Sequence, residues 1–195
     1  MDKKQTIIKK EFNMKNVVKL SQFLCLILRH HPEEIDLKLD SNGWANTNEL
    51  IKKVNTKRKI DLETLEYIVE NDKKQRYSFN KDKSKIRANY GHSIPVNPDY
   101  EISSPENILY HGTATRFLDS ILKSGILSKG RNLVHLSTDI ETAKIVGARH
   151  GKPIVLEINT KNMERDGYKF YKSMNGIWLT DEVPVKYISI VQDSK

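Results

Sequence analysis

Apolar residues recur at Leu20, Phe23, Leu24, Ile27 and Leu28, at i, i+3, i+4, i+7 and i+8, which places them on one face of a helix. Pro32 then forces the chain out of that helix, so Arg29 and His30 ride its last turn. Asn46 with Glu49 three residues later has the arrangement of a capped helix start, and Leu50, Ile51 and Val54 form the buried side of that helix. A third helix is expected after Asp61, with Leu62, Leu65, Ile68 and Val69 facing inward. Beyond it the pattern alternates: Arg76-Tyr77-Ser78-Phe79 and Lys85-Ile86-Arg87-Ala88 read as strands across a polar turn at residues 80–84. Three helices followed by a β-hairpin predict a winged-helix module.

Between residues 93 and 106 the chain carries Pro95, Pro98 and Pro105 with little apolar content, which reads as a linker. The expected organisation is therefore an N-terminal lobe over residues 1–95 and a second lobe over residues 96–195. In the second lobe, short strands are expected at residues 108–110, 133–137, 154–159, 176–179 and 187–191, and helices at residues 116–123 and 140–149. The fold class expected for the whole is α+β. Trp44 and Trp178 are expected in the core rather than as stacking platforms.

Hydrophobic residues make up 37% of the chain and charged ones 30%, a balance that belongs to a folded protein rather than a disordered one. No apolar run of about 18 residues occurs, and the charged segment Met1 to Lys10 is not followed by an apolar signal segment. Cys25, the single cysteine, stands inside an apolar helical stretch, which excludes an internal disulfide and a cysteine metal cage. A cytoplasmic protein without membrane attachment is expected, and nothing in the sequence demands more than a monomer or a protein partner.

The net charge of +8 is unevenly spread. Residues 1–95 hold 20 Lys+Arg against 13 Asp+Glu, a net of +7, and residues 96–195 hold 13 against 12, a net of +1. A polyanion-binding module joined to a near-neutral one would show this asymmetry, and so would a general lysine bias. The chain contains no G-x-x-x-x-G-K-[ST] loop, no G-x-G-x-x-G after a strand and no G-x-S-x-G elbow, so P-loop, Rossmann and nucleophilic-elbow chemistries are set aside. No metal site is expected: His30 and His31 are neighbours on a helix, roughly 100° apart, a poor geometry for joint ligation.

Six segments carry the chemistry. They are Leu28-Arg29-His30-His31-Pro32 with Leu39 to Ala45; Lys74-Gln75-Arg76-Tyr77 with Ile86 to Ser93; Leu109-Tyr110-His111-Gly112-Thr113; Gly130-Arg131-Asn132-Leu133-Val134-His135-Leu136-Ser137; Val146 to Gly151; and Asn175-Gly176-Ile177-Trp178-Leu179-Thr180. In this order they closely resemble the KptA-type RNA 2′-phosphotransferase family, over nearly the whole chain from about Leu20 to about Ile190. The resemblance implies a winged-helix lobe joined to an ADP-ribosyltransferase-like lobe, with an RNA 2′-phosphate and NAD meeting between them. It implies tRNA-like RNA as substrate, as in tRNA splicing. The paired Arg29 and His30, then Arg76 and Arg131, match the family's catalytic positions.

The choice of residues has a physical reason of its own. A phosphate monoester carries nearly two charges, and guanidinium groups grip its oxygens with paired, directional hydrogen bonds that lysine cannot reproduce. The implied reaction begins with attack of a phosphate oxygen on the nicotinamide riboside, giving RNA-2′-phospho-ADP-ribose and free nicotinamide. The nucleophile is already anionic, so positioning matters more than a general base. The ADP-ribose 2″-hydroxyl then takes the phosphorus, releasing ADP-ribose 1″,2″-cyclic phosphate, while Arg and His donors stabilise the phosphoryl oxygens. His30, with a reference pKa near neutrality, is the candidate to manage a proton.

For NAD, the resemblance places His111, Gly112 and Thr113 on a first strand edge, where the Gly112 backbone can approach closely, and His135, Leu136 and Ser137 on a second. Ile177 marks the third strand, at a position where protein-modifying members of the wider fold often carry Glu; the nearest acid here is Glu182. One departure from the family is Tyr90, which stands where Gln is expected before Gly91-His92-Ser93, so an RNA contact there is in doubt. For Arg87 and Arg149, substrate contact and surface ion pair stay open. Two other functions fit parts of the sequence: an ADP-ribosyltransferase that caps terminal phosphates, and a non-catalytic RNA-binding winged helix.

Overall fold

The computed structural model describes residues 13–105 and 108–191. The signal-segment reading of Met1 to Lys10 and the last linker residue, Glu106, lie outside the described residues. Helix α1 (Met14–Arg29) starts at Asn13, whose side chain accepts from Lys15 N and Asn16 N. It ends three residues before Pro32, and a single 3-10 turn (Pro32–Ile35) follows. Strand β1 (Trp44–Asn46) leads into α2 (Thr47–Val54), where Asn46 Oδ1 accepts from Glu49 N at 3.0 Å, the cap that the Asn46/Glu49 spacing predicts. Helix α3 (Leu62–Glu70) is capped in the same way by Asp61, which accepts from Thr64 N at 2.9 Å.

The expected hairpin is β2 (Tyr77–Phe79) and β3 (Lys85–Ala88), closed by Asn80 N donating to Lys85 O at 3.0 Å. Strand β1 joins it, giving an antiparallel sheet of order β1-β3-β2. The three helices and this sheet share one core, in which Leu24, Ile27, Leu28, Leu50, Leu65 and Ile86 are sealed completely. Each such side chain contributes roughly 1.5–3 kcal/mol relative to exposure. Leu62, expected inward, is instead 44% exposed: it occupies the first position of α3, before the helix has turned its face to the core.

The remaining elements are β4 (Glu101–Ile102), β5 (Ile108–Ala114), α4 (Leu118–Ser124), β6 (Ile126–Leu127), β7 (Val134–Leu136), α5 (Ile140–Ala148), β8 (Pro153–Asn159), α6 (Thr160–Arg165), β9 (Phe170–Lys172), β10 (Trp178–Thr180), β11 (Glu182–Val183) and β12 (Ile188–Ile190). They form sheets of order β12-β8-β5 and β4-β9-β10-β7, with a short β11-β6 pair. An antiparallel bridge between Tyr110 and Ser137 couples β5 to the end of β7, both of its hydrogen bonds being under 2.9 Å. A second core, with Leu109, Leu156, Ile158, Met163 and Phe170 at its centre, fills the space beneath them. The architecture is a mixed α+β one.

Two expectations are corrected here. The strand expected at residues 176–179 begins only at Trp178, because Gly176 sits at φ +79 in a tight turn closed by Ser173 N donating to Ile177 O and Gly176 N to Ser173 O, with Ile177 N donating to Ser173 Oγ. The proline-rich stretch also contributes structure of its own: β4 pairs with β9, and Asn97 N donates to Ser41 O at 2.8 Å. Trp178 is buried as expected, while Trp44 is half-buried and carries the Arg87 guanidinium 4.4 Å above its ring.

Candidate active site

The burial of Leu24, Ile27 and Leu28 draws the last turn of α1 inward and takes Arg29 with it, to 9% exposure. Its guanidinium lies over the Tyr90 ring, 4.6 Å from the centroid, a cation–π contact. Arg29 Nε and Nη2 are sealed from solvent and have no hydrogen-bond partner among the described residues. The chain passes the guanidinium at Gly91, whose φ of +82 lies in the left-handed region that suits glycine. Two residues on, Ser93 N donates to Arg29 O at 3.0 Å, and Ser93 Oγ lies 2.9 Å from His30 Nδ1. Burial, then the charges of Arg29 and Arg131, hold the His30 pKa below its ordinary value, so the ring is neutral at neutral pH.

Arg131 reaches the same place from the other half of the chain, on the loop between β6 and β7. Its neighbour Asn132 anchors that loop: its N donates to His92 O at 2.9 Å and its Nδ2 to Ile94 O at 2.8 Å. Residue 131 is exposed overall, yet surrounding protein desolvates its guanidinium, and this, followed by the charge of Arg29, lowers its pKa. It stays protonated regardless. Arg149, exposed at the C-terminal cap of α5, adds to the same positive field. Arg29, His30 and Arg131 are thus brought together. Arg76 stands at the entry to β2, where its Nη1 pairs with Asp72.

Among the cofactor candidates, His111 and His135 sit on adjoining edges, with His111 Nδ1 3.1 Å from His135 O. Burial pushes the His135 pKa down to about 3 and that of His111 below its ordinary value, so both rings are neutral donors or acceptors. His135 Nε2 is sealed without a partner among the described residues. Ser137 is held by the bridge to Tyr110, and Thr113 is buried. Leu136 belongs to the core, which leaves only its backbone to a ligand. The bare face of Gly112 is filled from inside: a Cβ there would stand 1.6 Å from the Ala143 carbonyl oxygen of α5. Ile177 is half-buried in the turn before β10, its N donating to Ser173 Oγ at 3.0 Å.

At three further residues of this seam the sequence marked the position but not what the side chain touches. Tyr90 contacts Arg29 through one ring, sits 6.2 Å from His135 and donates from its hydroxyl to Lys74 O at 3.3 Å. His92 is almost fully buried, lacks a partner on either ring nitrogen among the described residues, and is pushed down to about 4 chiefly by burial. Arg87 is also buried: besides Trp44 it reaches Asp99 at 3.4 Å and Met174 Sδ at 3.7 Å, which places it at the joint between the two halves. Position within the matched segments flagged all three, but not their contacts. Cavities of about 330 Å³ and 770 Å³ flank Asn89 and Met174; Arg29 and Arg131 line neither, so the site rests on chemistry rather than concavity.

A family model described as RNA 2′-phosphotransferase, Tpt1 / KptA family, matches residues 15–182. The chain is similar to a probable RNA 2′-phosphotransferase of Fusobacterium nucleatum, 59% identical over 177 residues that cover 90% of this chain and 99% of that protein. Proteins of the same name from Flavobacterium johnsoniae and Acaryochloris marina are 53% and 51% identical, each over 175 residues that cover 89% of this chain and 96% of the relative.

Proposed function

The chain belongs to the RNA 2′-phosphotransferase, Tpt1 / KptA family, and from that premise we propose that it removes an internal 2′-phosphate from RNA in an NAD-dependent reaction. In this reading residues 1–95 are a winged-helix lobe for RNA phosphate and residues 96–195 an ADP-ribosyltransferase-like lobe for NAD. The three helices packed on a hairpin sheet support the first assignment, and the two bridged antiparallel sheets support the second.

The observation that carries the proposal is the convergence of Arg29 and Arg131. They come from opposite halves of the chain, both are desolvated, and each lies within the other's field. Two like charges held this way repel, and leaving buried donors such as Arg29 Nε and Nη2 unpaired costs about 1–3 kcal/mol each. A phosphate dianion between them relieves both costs and accepts paired hydrogen bonds from each guanidinium.

The donor set of the second lobe suits NAD: neutral His111 and His135, the hydroxyls of Thr113 and Ser137, and the sealed, unpartnered His135 Nε2. When bound, NAD supplies an anomeric carbon open to attack by a phosphate oxygen with loss of nicotinamide, and a hydroxyl that later takes the phosphate. The protein's part is to hold the phosphate with Arg29, Arg76 and Arg131 and to stabilise charge on its oxygens. His30 Nδ1 is engaged by Ser93, which leaves Nε2 as the nitrogen that accepts or returns a proton.

The test uses RNA with one internal 2′-phosphate. With NAD, the purified protein yields RNA with a plain 2′-hydroxyl, nicotinamide and ADP-ribose 1″,2″-cyclic phosphate; without NAD, nothing changes. A stable ADP-ribosylated RNA that keeps its phosphate would instead indicate a capping transferase, and salt-sensitive RNA binding without nicotinamide release a non-catalytic module.

A further inference from the structure

The turn over residues 72–76, which leads from α3 into β2, is tied down at Asp72, Lys74, Gln75 and Arg76. Asp72, whose side chain is 6% exposed, accepts from Lys74 N at 3.2 Å and from Arg76 N at 2.6 Å, and pairs with Arg76 Nη1. Its carbonyl accepts from Gln75 N at 2.7 Å. The Lys74 carbonyl accepts from Tyr90 Oη at 3.3 Å and from Asn175 Nδ2 at 2.9 Å, one partner from each half of the chain. Asn89 Nδ2 donates to Gln75 O at 2.7 Å, and Asn89 N to Arg76 O at 2.8 Å.

Gln75 itself has φ +44, a left-handed conformation that strains any residue with a Cβ. Asp36, Lys83, Asp99 and Lys129 also adopt positive φ, so what sets Gln75 apart is the bonding around it: its carbonyl accepts from Asn89 Nδ2, and the preceding carbonyl is held from both halves of the chain. Strain next to an arginine, held in place by bonds from both halves, is the pattern of a site where geometry is being enforced. An exposed i,i+4 ion pair contributes little, but this carboxylate is buried and bonds the backbone as well as the guanidinium.

We propose that Asp72 is the positioning residue for Arg76: it fixes the turn and holds one end of the guanidinium, so that the Nε and Nη2 edge is presented to a phosphate oxygen. The inference rests on the reading of Arg76 as part of the phosphate clamp. An unpaired arginine explores many rotamers even when half-buried, as Arg76 is, and a carboxylate that holds one nitrogen removes that freedom before the substrate arrives.

The experiment uses the full chain, NAD and RNA with one internal 2′-phosphate, comparing wild type, Asp72→Asn, Arg76→Ala and the double variant. Asp72→Asn is expected to lower kcat/KM for RNA at least tenfold with KM for NAD within twofold, and to change the rate less than twofold when Arg76 is already alanine. Wild-type kinetics in Asp72→Asn, or an undiminished loss in the Arg76→Ala background, overturns the proposal. If Asp72→Asn alone does not fold, Gln75→Gly is added, since glycine adopts φ +44 without the support of the carboxylate. The tenfold loss must persist in that variant, and full activity there overturns the proposal. If wild type itself leaves the phosphate in place, the functional reading fails instead. Titration of adenosine 2′-monophosphate without NAD then decides Asp72 separately: tenfold weaker binding by Asp72→Asn supports the proposal, and equal binding overturns it.

Discussion

Arg131 is exposed as a residue and lies in the field of Arg29 and Arg149, so its removal takes away charge rather than packing. Arg131→Ala is therefore expected to reduce turnover about 100-fold or more, the usual loss of one preorganised donor, with a melting temperature within about 2 °C of wild type. Equal damage to stability and activity would show that the side chain serves the fold. Tyr90 presents the opposite case. Its ring seats Arg29 and its hydroxyl reaches Lys74 O, so Tyr90→Phe keeps the seat and Tyr90→Leu loses it. A desolvated cation–π contact contributes up to about 2 kcal/mol. Tyr90→Leu should cost roughly tenfold in kcat/KM for RNA and Tyr90→Phe less than threefold; equal activity in the two would exclude the ring as the seat.

At the scale of elements, α5 lies directly on β5 because two glycines allow it. A Cβ on Gly112 would meet the Ala143 carbonyl at 1.6 Å, and one on Gly147 would meet the Thr113 carbonyl at 2.6 Å. Both obstacles are backbone, which cannot rotate away. Gly112→Ala is expected to cost roughly 3 kcal/mol or more, a drop of about 6–12 °C in melting temperature for a chain of this size. Gly130→Ala, where nothing lies within 4 Å, is the control and should melt like wild type. A small effect at Gly112 would mean that α5 can slide. The glycine in this motif is thus explained by helix-on-strand packing.

For the molecule as a whole, the seam between the halves is lined with imidazoles kept neutral by burial. His92 is pushed to about 4 and His135 to about 3, against an ordinary value of 6.5. Their folded pKa values are depressed, so the unfolded chain takes up protons that the folded one refuses as pH falls below 6.5. The stability they protect is complete above that pH and is lost progressively toward pH 4 and 3. For His92 alone the loss is on the order of 3 kcal/mol. The urea midpoint should therefore fall between pH 6.5 and 4.5, and His92→Phe should flatten that limb. An unchanged slope in the variant would assign the acid sensitivity to other groups.

What the sequence determined by itself is what short-range physics encodes. The 3.6-residue period from Leu20 to Leu28, the cap at Asn46, the helix that follows Asp61 and the alternation in β2 and β3 each depend on residues a few positions apart, and all are present in the fold. The ordered segments were enough to name the family. Elements without periodicity escaped: β1 exists because Trp44–Asn46 meets Lys85–Arg87, and α6 has one deeply buried apolar residue, Met163. Only the tertiary structure decided that Arg29 rests on Tyr90, that His30 is held by Ser93 63 residues away, that Asn175 reaches Lys74 across 101 residues, and that Asp72 occupies Arg76. Those contacts join surfaces that local propensity cannot bring together; they form only once two separately buried cores have set where their edges meet.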